Sequence, residues 1–559
     1  RDRFMTEHME FADQLAGYVE SEHPEFLVNK LYYDAYKKDM TAGTYPDVRS
    51  GLQKLLKDGL LLFNYTGHGG TTALSDEKVL TQTDINQFTY THLPVWVTAT
   101  CDFTRFDDLN TSAGEDVFLN KSSGGIALFT TVRVAYSRPN FPINDNVIRN
   151  LFERNNGRRR TLGEVMQATK NTLSSVYKLG FCLIGDPAVK IAYPEFGMKV
   201  TTVNGQSVDG NSISFKALEK ITVEGEVLDA SGQLVTDFTG IVNPTVKDSK
   251  VTVTCLKNSN KDDSPAFTFT DYPNTIFIGN DSVRNGKFSF TFTVPKDISY
   301  SNLQGKMNLY AVDTESGNEA QGNFDNFIVG GTSDTAETDT IGPEIRALYL
   351  NDTTFVDGGQ VNTTPYFVAE LWDKSGVNIT GSSVGHDMML VIDESTVLSY
   401  NLNSYYELLP GEDGTGIVKF PIPALEPGKH TAEFWVWDIL NNSTVRTFTF
   451  EVVEGLKPFL FDVIATPGIA REQVTFHLMH NRPESRMRVG IMVYDLAGRQ
   501  LWKHEESGTS GLFENYTVSW DLTSGGARMR PGVYIYRAAI STDNSKDATK
   551  ARKFIILGE

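Results

Sequence analysis

The sequence predicts a multidomain protein in which an α/β domain with a buried, largely parallel sheet precedes a series of antiparallel β-sandwiches. Three observations support this. A chain of 559 residues has room for about three to five domains, each with its own core. Up to about residue 193, short apolar runs alternate with amphipathic helical segments, the texture of β-α-β units. From residue 194, alternating apolar and polar residues with turn signals at roughly 8–15-residue intervals replace the helical period, as in sandwiches.

The first helix carries Phe4, His8, Phe11, Leu15 and Val19 on one stripe. Leu31-Tyr32-Tyr33 follows, then a helix through Val48, Leu52, Leu55 and Leu56 that ends at Gly59. Residues 60–65 (LLLFNY) and 94–100 (PVWVTAT) are short, rich in β-branched and aromatic side chains, and bounded by turn signals, which suits buried parallel strands. Thr83-Asp-Ile-Asn-Gln starts the crossover helix between them. A polar loop with Asp102, Asp107 and Asp108, a short helix over 112–120, a strand over 126–131, helices over 141–154 and 161–179 and a strand over 181–184 complete the layer. Thr161 and Glu164 form a capping box for the last helix. The preceding Arg158-Arg159-Arg160 reads as a solvated loop, and Asp186 in Gly-Asp-Pro as a turn residue.

Three β modules follow, over 194–331, 332–454 and 455–559, with the polar stretch 330–340 as the clearest linker. Segments such as 221–227, 251–254 and 288–294 set the first; 365–373 and 430–438 are the strongest strands of the second. Trp372, Trp435 and Trp437 sit within strand patterns and so read as core or edge residues, ahead of a carbohydrate platform. In the third, Asp495-Leu-Ala-Gly-Arg499 joins two strands as a hairpin and Pro531-Gly532 opens another.

Composition limits the function. A formal charge of −19 opposes nucleic acid or an anionic membrane surface as the main partner. Three widely spaced cysteines, Cys101, Cys182 and Cys255, provide neither a zinc signature nor a disulfide framework. No apolar run approaches the ~18–20 residues that span a bilayer, and no nucleotide loop or paired-histidine metal motif is present, so no cofactor is expected. Structural calcium at an Asp/Asn-rich turn such as 438–442 is the one metal reading retained.

The chemistry points to residues 60–101. His68 lies just past the first strand within Thr-Gly-His-Gly-Gly, and Cys101 ends the second. A β-α-β unit brings both to the carboxyl edge of one sheet, where open α/β folds place their sites. A thiol nucleophile needs such a base within reach. Gly69, without a side chain over its N–H, and the N–H of Cys101 are candidate oxyanion donors. The competing reading is a structural Cys beside a loop His. Cys182, in an apolar strand, is the poorer nucleophile and reads as core packing. No orienting acid is assigned among Asp76, Glu77, Asp84 and Asp102.

NYTGHGG, VTATCDF, SSGGIALFTTVR and CLIGDPAVKI occur in this order, and this set resembles the gingipain-type (C25-like) cysteine peptidases. The resemblance covers the first third and implies a caspase-like fold, His68 as general base and acid, Cys101 as nucleophile and Gly69 as oxyanion contributor. It also implies that the α/β domain is N-terminally incomplete, with a strand and the orienting acid supplied by a segment preceding Arg1. FDVIATPG, VGIMVYDLAGRQLW, VSWDLTSGG and MRPGVYIYRA resemble the C-terminal domain that marks type IX secretion cargo, although Thr466-Pro467-Gly468 stands where such domains usually have Pro-Asn-Pro.

Together the two resemblances imply a sortase of that secretion system, which removes the C-terminal signal domain from cargo through a Cys thioester and passes the cargo to a lipopolysaccharide amine or to water. The partners implied are cargo proteins, an outer-membrane β-barrel anchor of the PorV type, other translocon components and lipopolysaccharide, with the chain held peripherally at the outer-membrane surface. Two alternatives stay open: a secreted gingipain-like protease, and a non-enzymatic adhesin or assembly protein with a degenerate peptidase domain.

Overall fold

Strands β1 (Leu62–Thr66) and β5 (Val95–Ala99) pair in parallel, with Leu62 opposite Val95 and Thr66 opposite Ala99. The computed structural model describes residues 6–558 except 89, 122, 156, 259–264, 335–338, 382–384, 410–413 and 543; Phe4 lies outside them. These residues fall into two compact units, Arg1–Phe215 with Ile221–Phe292 and Ser299–Gly331, and Lys216–Lys220 with Thr293–Ile298 and Thr332–Glu559.

The first unit opens with α1 (Glu7–Glu22) and α2 (Pro46–Asp58). After β1 come three two-residue strands, β2 (Gly69–Gly70), β3 (Ala73–Leu74) and β4 (Leu80–Thr81), then α3 (Gln82–Gln87), β5 and α4 (Ala113–Leu119). Then follow β6 (Ala127–Thr131), α5 (Ser137–Phe152), the hairpin β7 (Arg154–Asn155) and β8 (Arg158–Arg159), α6 (Leu162–Thr172) and β9 (Phe181–Ile184). The main sheet has the order β1-β5-β6-β9. β5 and β6 are buried along their whole length, which explains their continuous apolar sequence.

The sheet separates two cores. Val95 and Val97 of β5 pack with Leu15 of α1, Val147 and Leu151 of α5 and Val165 of α6. The intervening Trp96 packs with Leu52 and Leu56 of α2, Ile85 of α3 and Val117 of α4. The two-residue period of the strand thus feeds both layers.

One strand departs from the parallel pairing: β9 runs antiparallel to β6. One expectation needs correction. The helix expected over 161–179 ends at Thr172, and a 3-10 turn, Val176–Gly180, follows. Ser175 caps that turn: its hydroxyl accepts the Tyr177 N–H, a local bond of the kind that favours turns over helix. The expected capping box is present, and Thr81–Asp84 and Ser112–Glu115 form two more. The arginine run is locally neutralised: Arg158 pairs with Glu164 at 2.6 Å, Arg159 with Glu195 at 2.8 Å and Arg160 with Glu153 at 3.4 Å.

From Phe196 onward the strands of the first unit pair mostly antiparallel, Gly240–Lys247 with Lys306–Asp313 and the latter with Glu319–Phe324, while Phe196–Val203 runs parallel to Glu319–Phe324. A hairpin of Val251–Thr254 and Thr268–Asp271 brings Phe269 and Cys255 against Tyr32 and Met9. Lys30, with its side chain 3% exposed, reaches Asp13 at 3.1 Å and Glu20 at 3.3 Å and donates to the Thr270 carbonyl, so the α/β and β parts of this unit share a satisfied buried charge.

The two largest cores described in the second unit each lie between two sheets. A four-stranded sheet including Tyr366–Trp372 and a five-stranded sheet including Gly428–Trp437 enclose Phe367, Leu390, Phe434 and Phe450. A three-stranded sheet including Val474–His480 and a five-stranded sheet including Met487–Tyr494 enclose Phe476, Ile491, Tyr536 and Phe554. Trp372, Trp435 and Trp437 are half-buried within strands; Arg346 lies 5.0 Å over Trp372 and the His386 ring 4.5 Å from that of Trp437. The expected linker begins late, since strand Phe327–Thr332 continues into it, and 335–338 lie outside the described residues. Among the described residues no helix is long and apolar enough to cross a membrane.

Candidate functional site

The last paired residues of β1 and β5 are Thr66 and Ala99, and His68 and Cys101 each lie two residues beyond. The Gly67 N–H still reaches the Ala99 carbonyl at 3.4 Å, so the two chains leave the sheet side by side. His68 is exposed and Cys101 half-buried. Their side chains emerge at the carboxyl edge of the main sheet.

Each side chain has its own support. The His68 carbonyl accepts the Tyr65 hydroxyl at 2.6 Å and the Ser75 N–H at 2.8 Å. Burial raises the Tyr65 phenol well above its ordinary pKa, which keeps it a donor. The His68 ring meets that of His8, from α1, edge-on at 5.0 Å. After Cys101 the chain turns sharply through Asp102, whose φ of 47° is left-handed and suits an Asp. The Cys101 thiol donates to the Ala135 carbonyl at 3.1 Å and receives the Ala135 N–H at 3.4 Å.

Below the thiol lies a hydroxyl network that the sequence reading missed. Thr98 donates to Thr130 at 2.7 Å, Thr130 and Thr104 share a bond of 2.9 Å, and Thr131 donates to the Thr100 carbonyl at 2.7 Å. These buried bonds tie the loop after Cys101 to the ends of β5 and β6. Arg133 and Asp107 add a two-point pair at 3.0 and 2.5 Å, and the guanidinium holds the Asp107 carboxyl below its usual range.

Gly69 opens β2. In its antiparallel ladder with β3, Gly69 stands opposite Leu74, and the Ser75 N–H bonds to the His68 carbonyl. Consecutive residues of a strand direct their polar groups to opposite sides, so the Gly69 N–H turns away from β3. A Cβ at Gly69 would lie 2.5 Å from Thr100 Oγ1; only glycine lets the two loops approach this closely.

Of the acids near in sequence, Asp84 caps α3 and pairs with Arg49, and Glu77 pairs with Lys38 at 3.1 Å. Both are engaged away from the thiol. Cys255 is buried and its thiol is pushed up to about 11 by burial, which removes it as a nucleophile at neutral pH. Cys182 is half-buried on β9, opposite Thr130.

A cavity of about 560 Å³ runs along the outer edge of β1 and reaches His8 and His68, lined mainly by apolar residues such as Leu15, Leu52 and Phe63. β1 ends the strand order, and its residues are mostly half-buried where those of β5 are fully buried.

Residues 2–192 match the family model "Peptidase family C25". Comparison with curated proteins finds no match. Among solved structures, the chain is similar to dimeric latent PorU from Porphyromonas gingivalis, with 36% identity, 78% of this chain and 41% of that chain covered, and a TM-score of 0.33. It is also similar to the Arg-specific cysteine proteinase gingipain R, with 18% identity, coverage of 50% and 56% and a TM-score of 0.25. The complex of the Porphyromonas gingivalis RgpB pro- and mature domains matches at 20% identity, coverage of 50% and 57% and a TM-score of 0.24. The chain thus spans less than two thirds of each of these proteins.

Proposed function

We propose that residues 2–192, which match the family model of peptidase family C25, act as a cysteine peptidase domain and that the chain is a sortase acting on type IX secretion cargo. The observation that supports this reading best is the equivalent placement of His68 and Cys101 beyond two paired parallel strands.

The mechanism follows from the residues at this edge. His68 takes the Cys101 proton, and the thiolate attacks the carbonyl carbon at the junction of cargo and signal domain. The oxyanion that forms is met by the N–H groups of Gly69 and Cys101. His68 then passes its proton to the departing nitrogen as the C–N bond breaks, which leaves a thioester and frees the signal domain. An incoming amine of lipopolysaccharide, or water, loses its proton to His68 and attacks the thioester, and the thiol is restored.

The similarity of 36% to PorU and the motifs of 455–559 support this substrate. On this reading 194–331 and 332–454 are Ig-like modules, and 455–559 docks to a β-barrel anchor of the PorV type and other translocon components at the cell surface. The open edge of β1 supports pairing with a further strand from a preceding segment of the same protein, which would complete the sheet. Structural calcium is proposed at the Asp438 turn, where the carboxylates of Asp339, Asp373 and Asp438 lie within 4.8 Å of one another.

Incubation with a cargo protein that carries its signal domain tests the proposal. Cys101→Ala is expected to abolish release while binding persists; release by the variant overturns it. Mass analysis of the new cargo C-terminus separates an amide-linked sugar from a free carboxylate, and deletion of 455–559 is expected to detach the protein from the surface.

A further inference from the structure

We propose that exposed apolar side chains around Cys101, chiefly Val134, Tyr136, Tyr177 and Leu179, form a subsite for an apolar side chain on the residue whose carbonyl the thiol attacks; this rests on the peptidase reading above.

The thiol touches the backbone of Ala135, and the flanking Val134 and Tyr136 are 64% and 66% exposed. The Tyr136 ring meets that of Tyr177 edge-on at 5.9 Å. Tyr177 belongs to the 3-10 turn Val176–Gly180, which is held to the same loop because the Val132 N–H bonds to the Gly180 carbonyl at 2.8 Å. Leu179, in that turn, is 71% exposed. Two loops distant in sequence, joined by the Tyr136–Tyr177 ring contact and the Val132–Gly180 bond, thus present large exposed apolar side chains beside the Ala135 backbone that touches the sulfur. Single exposed apolar residues are ordinary, but a group of them gathered beside a reactive centre suits recognition of an apolar partner.

The charges of these loops are engaged elsewhere. Arg133 is paired with Asp107 and also lies in the field of Asp102. The Lys178 ammonium donates to the carbonyls of Lys170 and Leu173. The surface left for a substrate side chain is therefore apolar, and it favours an apolar residue over a charged one, whose desolvation it cannot offset.

The test uses the full chain and thiol-directed peptidyl acyloxymethyl ketones that differ only in the residue nearest the warhead: Leu, Phe, Gly, Lys or Asp. Cys101 is expected to be modified at least about 10-fold faster by the Leu and Phe probes than by the Gly, Lys and Asp probes. Leu179→Asp and Tyr136→Ser, both at exposed positions, should each lower the Leu-to-Gly rate ratio about 10-fold, and melting curves check that each variant is folded. Equal rates for all probes, or a preference for Lys, overturn the subsite and leave the peptidase reading intact. Absence of modification by every peptidyl probe, when iodoacetamide still alkylates Cys101, defeats both.

Discussion

His68 and Cys101 occupy matching positions on adjacent parallel chains, each two residues past the final pair Thr66 and Ala99. Parallel pairing alone produces this match, because strands that run the same way deliver their C-terminal residues to one edge. The edge is rigid behind the side chains, through the threonine hydroxyls below Cys101 and the two donors on the His68 carbonyl.

His68→Gln removes the proton carrier and keeps a polar side chain of similar reach. The rate of cargo cleavage is expected to fall roughly 10²–10⁴-fold, the usual contribution of a general base, with added imidazole restoring part of it. Single-turnover cleavage with and without imidazole checks this; an unchanged rate removes His68 from the mechanism.

Gly69→Ala places a methyl group 2.5 Å from Thr100 Oγ1 and 3.3 Å from the Ala73 carbonyl. Either the His68 loop or the Cys101 loop must shift, and the Gly69 N–H shifts with it. A loss of about 10²-fold in kcat is expected, the effect of one misplaced oxyanion donor. Thr100→Ala in the same chain removes the first contact and should recover part of the loss. Comparison of the single and double variants measures this coupling.

The strands and the thiol-histidine edge were legible because they depend on local information: β-branched runs, turn glycines and reactive residues at strand ends. The reversed direction of β9 was not, since the apolar run Phe181–Ile184 reads alike both ways. Contact of Ala135 with the Cys101 sulfur and of Tyr136 with Tyr177 joins loops that only tertiary packing brings together. For the same reason the sequence marked 438–442 as an Asp/Asn-rich turn suited to calcium but gave no sign that Asp339 and Asp373 would converge on Asp438.

That convergence has a measurable consequence for the calcium proposal. Burial raises the Asp373 carboxyl to about 6, with the nearby Asp438 and Asp339 adding to the effect, and burial raises Asp438 as well. A carboxyl raised above its unfolded value contributes stability below pH 3.8 that is lost as pH rises through about 6. A bound cation reverses this for the ionised form. Added calcium should therefore raise the melting temperature of the second unit more at pH 7.5 than at pH 5, where protons compete. Asp373→Asn should remove the difference. Scanning calorimetry with calcium or EGTA decides it, and equal curves at pH 7.5 defeat the calcium reading.

His480 gives the third β module an acid sensitivity of opposite sign. Its ring bonds to Ser510 at 2.8 Å, and burial, assisted by the Arg482 charge, pushes its pKa down to about 4 from 6.5. In the unfolded chain the imidazole binds a proton below about pH 6.5, while the folded module holds it neutral until about pH 4. The unfolded state thus binds more protons between these values, so stability rises with pH there. The contribution is complete above pH 6.5 and is lost as pH falls towards 4, by at most about 3 kcal/mol. His480→Gln keeps polar groups near Ser510 and has no proton to gain. The variant should be less stable at pH 7, through imperfect packing, yet lose less stability between pH 6.5 and 4.5 than the native chain. Urea unfolding followed by Trp502 and Trp520 fluorescence, whose rings stack at 4.5 Å in this module, measures both slopes. Parallel slopes for the two proteins would exclude His480 as the source of the acid response.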